Sequence, residues 1–160
     1  MADDERVSLL EGRLRKVEDQ LEIMRLLSSY GPSVDSGSSR QAAELWTDDG
    51  AYDVGGMHRA EGHDRIADLY DSDHHQWLIH QGSAHLTEMP RVTVDGDRAE
   101  AVGYSAVLLR EGDRWMVWRA SANHWTLQRT AAGWRVETRY NRVLDGSDES
   151  HRVLRRGVDH

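Results

Sequence analysis

Cysteine is absent from the 160-residue chain, which removes disulfides, thiolate metal sites, iron–sulfur clusters and cysteine nucleophiles from the possible chemistry. Lysine is almost absent too. Lys16 stands alone among charged neighbours, so Schiff-base catalysis, pyridoxal phosphate chemistry and a P-loop have no residue to use, and no cofactor is expected. Positive charge is outweighed and dispersed: 20 Lys and Arg stand against 28 Asp and Glu, the formal net charge is -8, and apart from Arg155 and Arg156 the arginines are scattered. That balance repels phosphate backbones, and no nucleic acid partner is expected. Long apolar runs are missing as well. Nothing approaches the ~20 residues of a bilayer span, and the first twenty residues are charged where a secretory leader would be apolar. The expectation is a cytoplasmic protein without a membrane partner.

A hydrophobic fraction of 38% is low enough to raise the question of disorder, but six tryptophans and apolar alternation through the second half predict a folded chain. Its length suits one domain. Val7, Leu10, Leu14, Val17, Leu21 and Met24 recur at steps of three and four, predicting a helix that runs to about Tyr30 and ends at Pro32. Its stripe is expected to pack on the chain's own sheet, although so narrow a seam also suits a second chain. A short helix is predicted from Ser39 to Trp46, a turn at Asp48-Asp49-Gly50, a strand from Ala51 to Val54 and a helix from His63 to Tyr70. Residues 71–84 give no clear pattern and are placed as a helix or loop leading into the sheet. From His85 the period becomes two: His85 to Val94, Arg98 to Arg110, Trp115 to Gln128 and Trp134 to Leu144 read as strands joined by Gly-containing turns. Runs this long imply twist, bulges and a curled sheet. Residues 145–160 read as a loose charged tail beyond a domain of residues 1–144. The fold class is α+β, a cone-shaped curved antiparallel sheet closed by N-terminal helices around a pocket.

The order Tyr30, Val34-Asp35-Ser36-Gly37, Ala43-Glu44-Leu45-Trp46-Thr47-Asp48-Asp49-Gly50-Ala51-Tyr52, His80-Gln81-Gly82, His85 and Gly133-Trp134-Arg135-Val136 resembles the SnoaL-like branch of the nuclear transport factor 2 superfamily. The likeness covers the chain to about Leu144. Within that superfamily it is similar to the dehydratases and dehydrohalogenases, such as the bile acid 7α-dehydratase, scytalone dehydratase and hexachlorocyclohexane dehydrochlorinase families. The resemblance implies an Asp–His pair at Asp35 and His85, an active-site tyrosine at Tyr30, and a last-strand arginine that falls on Arg142 by one correspondence and on Arg139 by another. These two positions differ by an odd number, so in a regular strand only one faces the pocket. The likeness also implies a homo-oligomer, with a trimer favoured.

Imidazole is the side chain whose ordinary pKa lets it take a proton from carbon near neutrality. His85 would be that base, Asp35 would fix its tautomer and stabilise the imidazolium, Tyr30 would donate to oxygen, and the arginine would hold negative charge. His80 and His124 are candidates for the pocket lining, and Trp77 and Trp125 for its apolar walls. His74, His75, His80 and His85 lie close in sequence but lack metal-ligand spacing, so no metal is expected. The reading is a cofactor-independent lyase acting on a small hydrophobic cyclic molecule: a steroid, terpenoid or polyketide. The alternatives are an isomerase or polyketide cyclase with the same base, and a non-catalytic binding protein or dioxygenase small-subunit-like accessory protein.

Overall fold

The computed structural model describes residues 3–158. In chain order the elements are α1 (Asp3–Ser28), α2 (Tyr30–Asp35), α3 (Ser39–Ala43), β1 (Trp46–Val54), β2 (His58–Glu61), α4 (Gly62–Asp71) and α5 (Asp73–Gln81). Then follow β3 (Ser83–Thr87), β4 (Arg91–Asp95), β5 (Arg98–Glu111), β6 (Arg114–Thr130), β7 (Gly133–Val143) and α6 (Asp148–Arg155). The sheet runs β2-β1-β7-β6-β5-β3, with β4 also paired to β5. Its two ends are different strands, so this α+β fold has a curved sheet that does not close. All pairs are antiparallel except β1 with β7, which run parallel.

Several boundaries differ from the sequence reading, each for a local reason. The run His85–Val94 is two strands, because Pro90 has no N–H for a ladder and interrupts it. β3 and β4 instead share one edge of β5, where Gly103 lies closely against Pro90. Pro32 does not close a helix: it sits in the first turn of α2, where no backbone donor is required. The Asp48-Asp49-Gly50 segment belongs to β1, which absorbs it as a shift in register between Trp46 and Ala51. The unpatterned 71–84 segment contains α5, capped by the Ser72 hydroxyl, which accepts from His75 N.

The core lies between α1–α4 and the inner face of the sheet, with Ile23, Val34, Trp46, Ile66, Leu127 and Trp134 almost wholly enclosed. A buried tryptophan removes roughly 150–250 Å² from water, on the order of 4–6 kcal/mol before entropy is counted. Helix α1 joins this core only through its last turns. Asp19 accepts from Arg129 Nη2 at 2.8 Å and from Trp134 Nε1 at 3.1 Å, and Ile23 and Leu27 are buried. The stripe from Val7 to Leu21 does not pack on the sheet: all five seam residues are exposed. The charged segment after Leu144 is not a loose tail. Ser147 caps α6 by accepting from Ser150 N, and the helix packs on β6 and β7, where Glu149 binds Arg142.

Candidate active site

Two short elements bring Asp35 and His85 together. Asp35 ends α2, His85 is the middle residue of β3, and the two elements touch because Gly31 has no side chain. A Cβ at Gly31 would overlap the His85 carbonyl oxygen. At that contact His85 Nδ1 lies 2.7 Å from Asp35 Oδ1. The His85 backbone N–H donates to Asp35 Oδ2 at 2.6 Å, and Ser83 Oγ donates to Oδ1 at 3.0 Å. Burial alone would raise the Asp35 carboxyl, but the hydrogen bonds from the His85 ring and backbone outweigh it and hold the group below its ordinary value. The carboxylate is therefore ionised at neutral pH and acts only as an acceptor, which puts the Nδ1 proton on the histidine. Among the described residues Nε2 of His85 has no hydrogen-bond partner, and the ring lines a cavity of about 180 Å³.

Across that cavity stands Arg139, 3% exposed. The choice between Arg139 and Arg142 turns on a bulge. Thr126 pairs with Thr138 but Leu127 pairs with Val136, leaving Glu137 as an extra residue in β7. The inward parity therefore changes from even at Trp134 and Val136 to odd at Arg139 and Asn141. Arg142 falls on the opposite face, bound to Asp53 at 2.8 and 3.0 Å and to Glu149, so it is not a pocket residue. Arg139 Nε donates to Asn123 Oδ1 at 3.0 Å, and Asn141 Nδ2 donates to the same oxygen at 2.9 Å. Its guanidinium lies 4.3 Å from the Tyr30 ring centre and 4.7 Å from that of Tyr52. No carboxylate pairs with it among the described residues.

Tyr30 links the two groups, its ring 6.2 Å from that of His85 and under the Arg139 cation. Tyr52, Tyr70 and His75 complete this part of the wall. Burial raises the pKa of both Tyr52 and Tyr70, so both hydroxyls are protonated donors. Burial lowers His75, whose Nε2 lies 3.3 Å from the Val34 carbonyl oxygen, so it is a neutral ring that ties α5 to α2. The Tyr70 hydroxyl and Arg119 Nε are buried without a hydrogen-bond partner among the described residues. Apolar side chains in the lining are Leu69, Leu78, Val107 and Trp118. Trp118 reaches it through a second bulge, where Val107 pairs with Arg119 and Leu108 with Val117.

Four residues expected at the pocket lie elsewhere. Trp77 is exposed and stacks on His74, and His80 is exposed, its Nδ1 bonded to the Gln76 carbonyl of its own helix turn. His124 is buried on the outer face of β6, paired with Glu100 at 3.0 Å and stacked on Tyr140. Trp125 points inward but packs behind Arg139, which screens it from the cavity. Sequence reading missed Tyr52, Tyr70, His75, Trp118 and Asn141. His75 had a signal in the Ser72 cap three residues before it, which sets the phase of α5; Trp118 had none, because bulges leave no trace in alternation.

An open curved sheet with helices across its inner face and ionisable groups in the enclosed pocket is the nuclear transport factor 2-like, or cystatin-like, fold. The SnoaL-like domain description matches residues 15–140, and the chain belongs to that family. An NTF2-like protein with a cystatin-like fold from Novosphingobium aromaticivorans is 43% identical, covering 91% of this chain and 94% of that one at a TM-score of 0.88. Rv3472 from Mycobacterium tuberculosis is 19% identical over 92% and 94%, with a TM-score of 0.72. Aln2 from a Streptomyces species is 15% identical over 78% and 90%, with a TM-score of 0.70. The last two likenesses speak for the fold alone. No curated protein gives a significant sequence match.

Proposed function

We propose that the protein is a cofactor-independent lyase that removes a proton from carbon beside a carbonyl in an apolar cyclic molecule, with loss of water or halide. One observation carries this reading: His85, its Nδ1 held by ionised Asp35 and its Nε2 unpartnered, shares a largely apolar cavity with a buried guanidinium that no carboxylate neutralises. In the proposed reaction Nε2 takes the proton, and the C–H electron pair moves toward the carbonyl as an enolate. Arg139 and the Tyr70 hydroxyl are donors for the charge on that oxygen, and Asp35 stabilises the imidazolium. Re-formation of the carbonyl makes the carbon–carbon double bond and expels the leaving group with its bonding pair. A departing hydroxyl takes a proton from Tyr30 and leaves as water, and the proton held on His85 then restores Tyr30 through solvent.

The cavity bears on the substrate. An engineered cavity of about 150 Å³ takes one benzene, so about 180 Å³ suits one or two rings, with any further part of a larger polycycle projecting through the mouth. The same base and cation serve an isomerase or cyclase, since enolate formation is common to all three. Incubating the protein in deuterated water with cyclic β-hydroxy ketones and analysing products by mass spectrometry separates them. Loss of water with wild type and none with His85→Ala is the expected result. Deuterium uptake without loss of water favours the isomerase. Neither change across the panel, with tight binding retained, points to the binding-protein alternative.

A further inference from the structure

Every residue of α1 from Asp3 to Glu18 is exposed, and the helix meets the body of the domain only from Asp19 onward. A helix of that length with no tertiary contact is marginal in water, and Gly12 in its middle weakens it further. It nevertheless carries an apolar seam. Val7, Leu10, Leu14, Val17 and Leu21 alternate at steps of three and four, the a and d positions of a heptad, and are 51%, 52%, 58%, 51% and 47% exposed. The residues that dock on the body, Asp19, Ile23 and Leu27, lie on the opposite side of the helix from this seam. The seam therefore faces away from its own domain, and two bodies would flank a paired helix without colliding.

The charges beside the seam select the partner and its direction. Arg6 and Arg13 occupy the g positions and Glu11 and Glu18 the e positions, and none forms an ion pair within the described residues. In a parallel pair a g residue meets the e residue five places on in the other helix, so Arg6 faces Glu11 and Arg13 faces Glu18 of the second copy. In an antiparallel pair g meets g and e meets e, setting arginine against arginine and glutamate against glutamate. We propose that α1 binds α1 of a second copy of this chain in a parallel, in-register coiled coil spanning Val7 to Leu21.

The absence of cysteine from the chain makes crosslinking unambiguous. In the full-length protein, Leu10→Cys sits in the seam at a d position, where parallel in-register helices bring the two copies within disulfide distance. It is expected to oxidise to a covalent dimer, whereas Gly12→Cys on the outer side stays monomeric. Leu14→Asp, exposed in the single chain and so harmless to its fold, is expected to lower the native mass by light scattering to that of one chain. Arg13→Glu should weaken association about tenfold by turning attraction into repulsion in both symmetric pairs, and adding Glu18→Arg should restore it. Crosslinking of Gly12→Cys as readily as Leu10→Cys, or a native mass unchanged by Leu14→Asp, would overturn the proposal.

Discussion

Asp35 collects three donors on one carboxylate, the Ser83 hydroxyl and the backbone and ring N–H groups of His85. Asparagine keeps the shape but replaces one acceptor with a donor, so it opposes either His85 N–H or the Nδ1 proton. In the proposed mechanism Asp35→Asn is expected to lower kcat by about 10²–10⁴-fold with KM little changed, and His85→Ala to do at least as much. The double variant should be little worse than either single one, because the pair acts as a unit. Full activity in both single variants would refute the Asp35–His85 pair as the catalytic base. Stability follows pH from the same groups. The Asp35 pKa is depressed in the fold, so its contribution is complete above the ordinary 3.8 and disappears as pH falls through the lowered folded value. His75 and His124 are also depressed, each held neutral first by burial. In the unfolded chain they bind protons below about 6.5, so stability begins to fall at that higher pH. Urea midpoints measured against pH should show this early decline, and it should shrink in the His75→Asn, His124→Asn double variant.

Short elements, rather than the long strands, set the site's precision. Helix α2 is held against β3 at Gly31, and any side chain there forces the two apart. Gly31→Ala is expected to cost about 1–3 kcal/mol through overpacking and to separate Asp35 from His85. A lower thermal midpoint together with a larger loss of activity than of stability would show both effects, and an unchanged midpoint would mean that the contact is not tight. In β7 the decisive feature is a single extra residue. Counting in twos along Glu137-Thr138-Arg139-Tyr140-Asn141-Arg142 identifies two faces but cannot say which is inner, because the bulge at Glu137 reverses the phase set by Trp134. Alternation thus showed that Arg139 and Arg142 point apart and left open which one meets the pocket. The same limit hid the break at Pro90, where two strands on one edge of β5 look like one.

For the whole molecule, the sequence was most legible where a pattern repeats over many residues. The curled sheet and the helical N-terminal half follow from apolar period and strand length, and Asp35, His85 and Tyr30 follow from a family likeness that the SnoaL-like match supports. Less legible was anything fixed by contacts between distant segments. Tyr52, Tyr70 and Trp118 come from β1, α4 and β6 and become neighbours only when the sheet curls. Helix α6 was hidden because its segment is rich in charge, and one of those charges, Glu149, anchors it by an ion pair with Arg142 on the outer face. At the centre of the site is an imidazole that lines the cavity with its Nδ1 bound to Asp35 and its Nε2 unpartnered among the described residues. Long-range ¹H–¹⁵N NMR of the His85 ring at neutral pH tests it most directly, since the two nitrogens report which one carries the proton. The proton is expected on Nδ1 with Nε2 bare, and that preference is expected to disappear in Asp35→Asn; a proton on Nε2 in place of Nδ1 in the wild-type protein would rule the arrangement out.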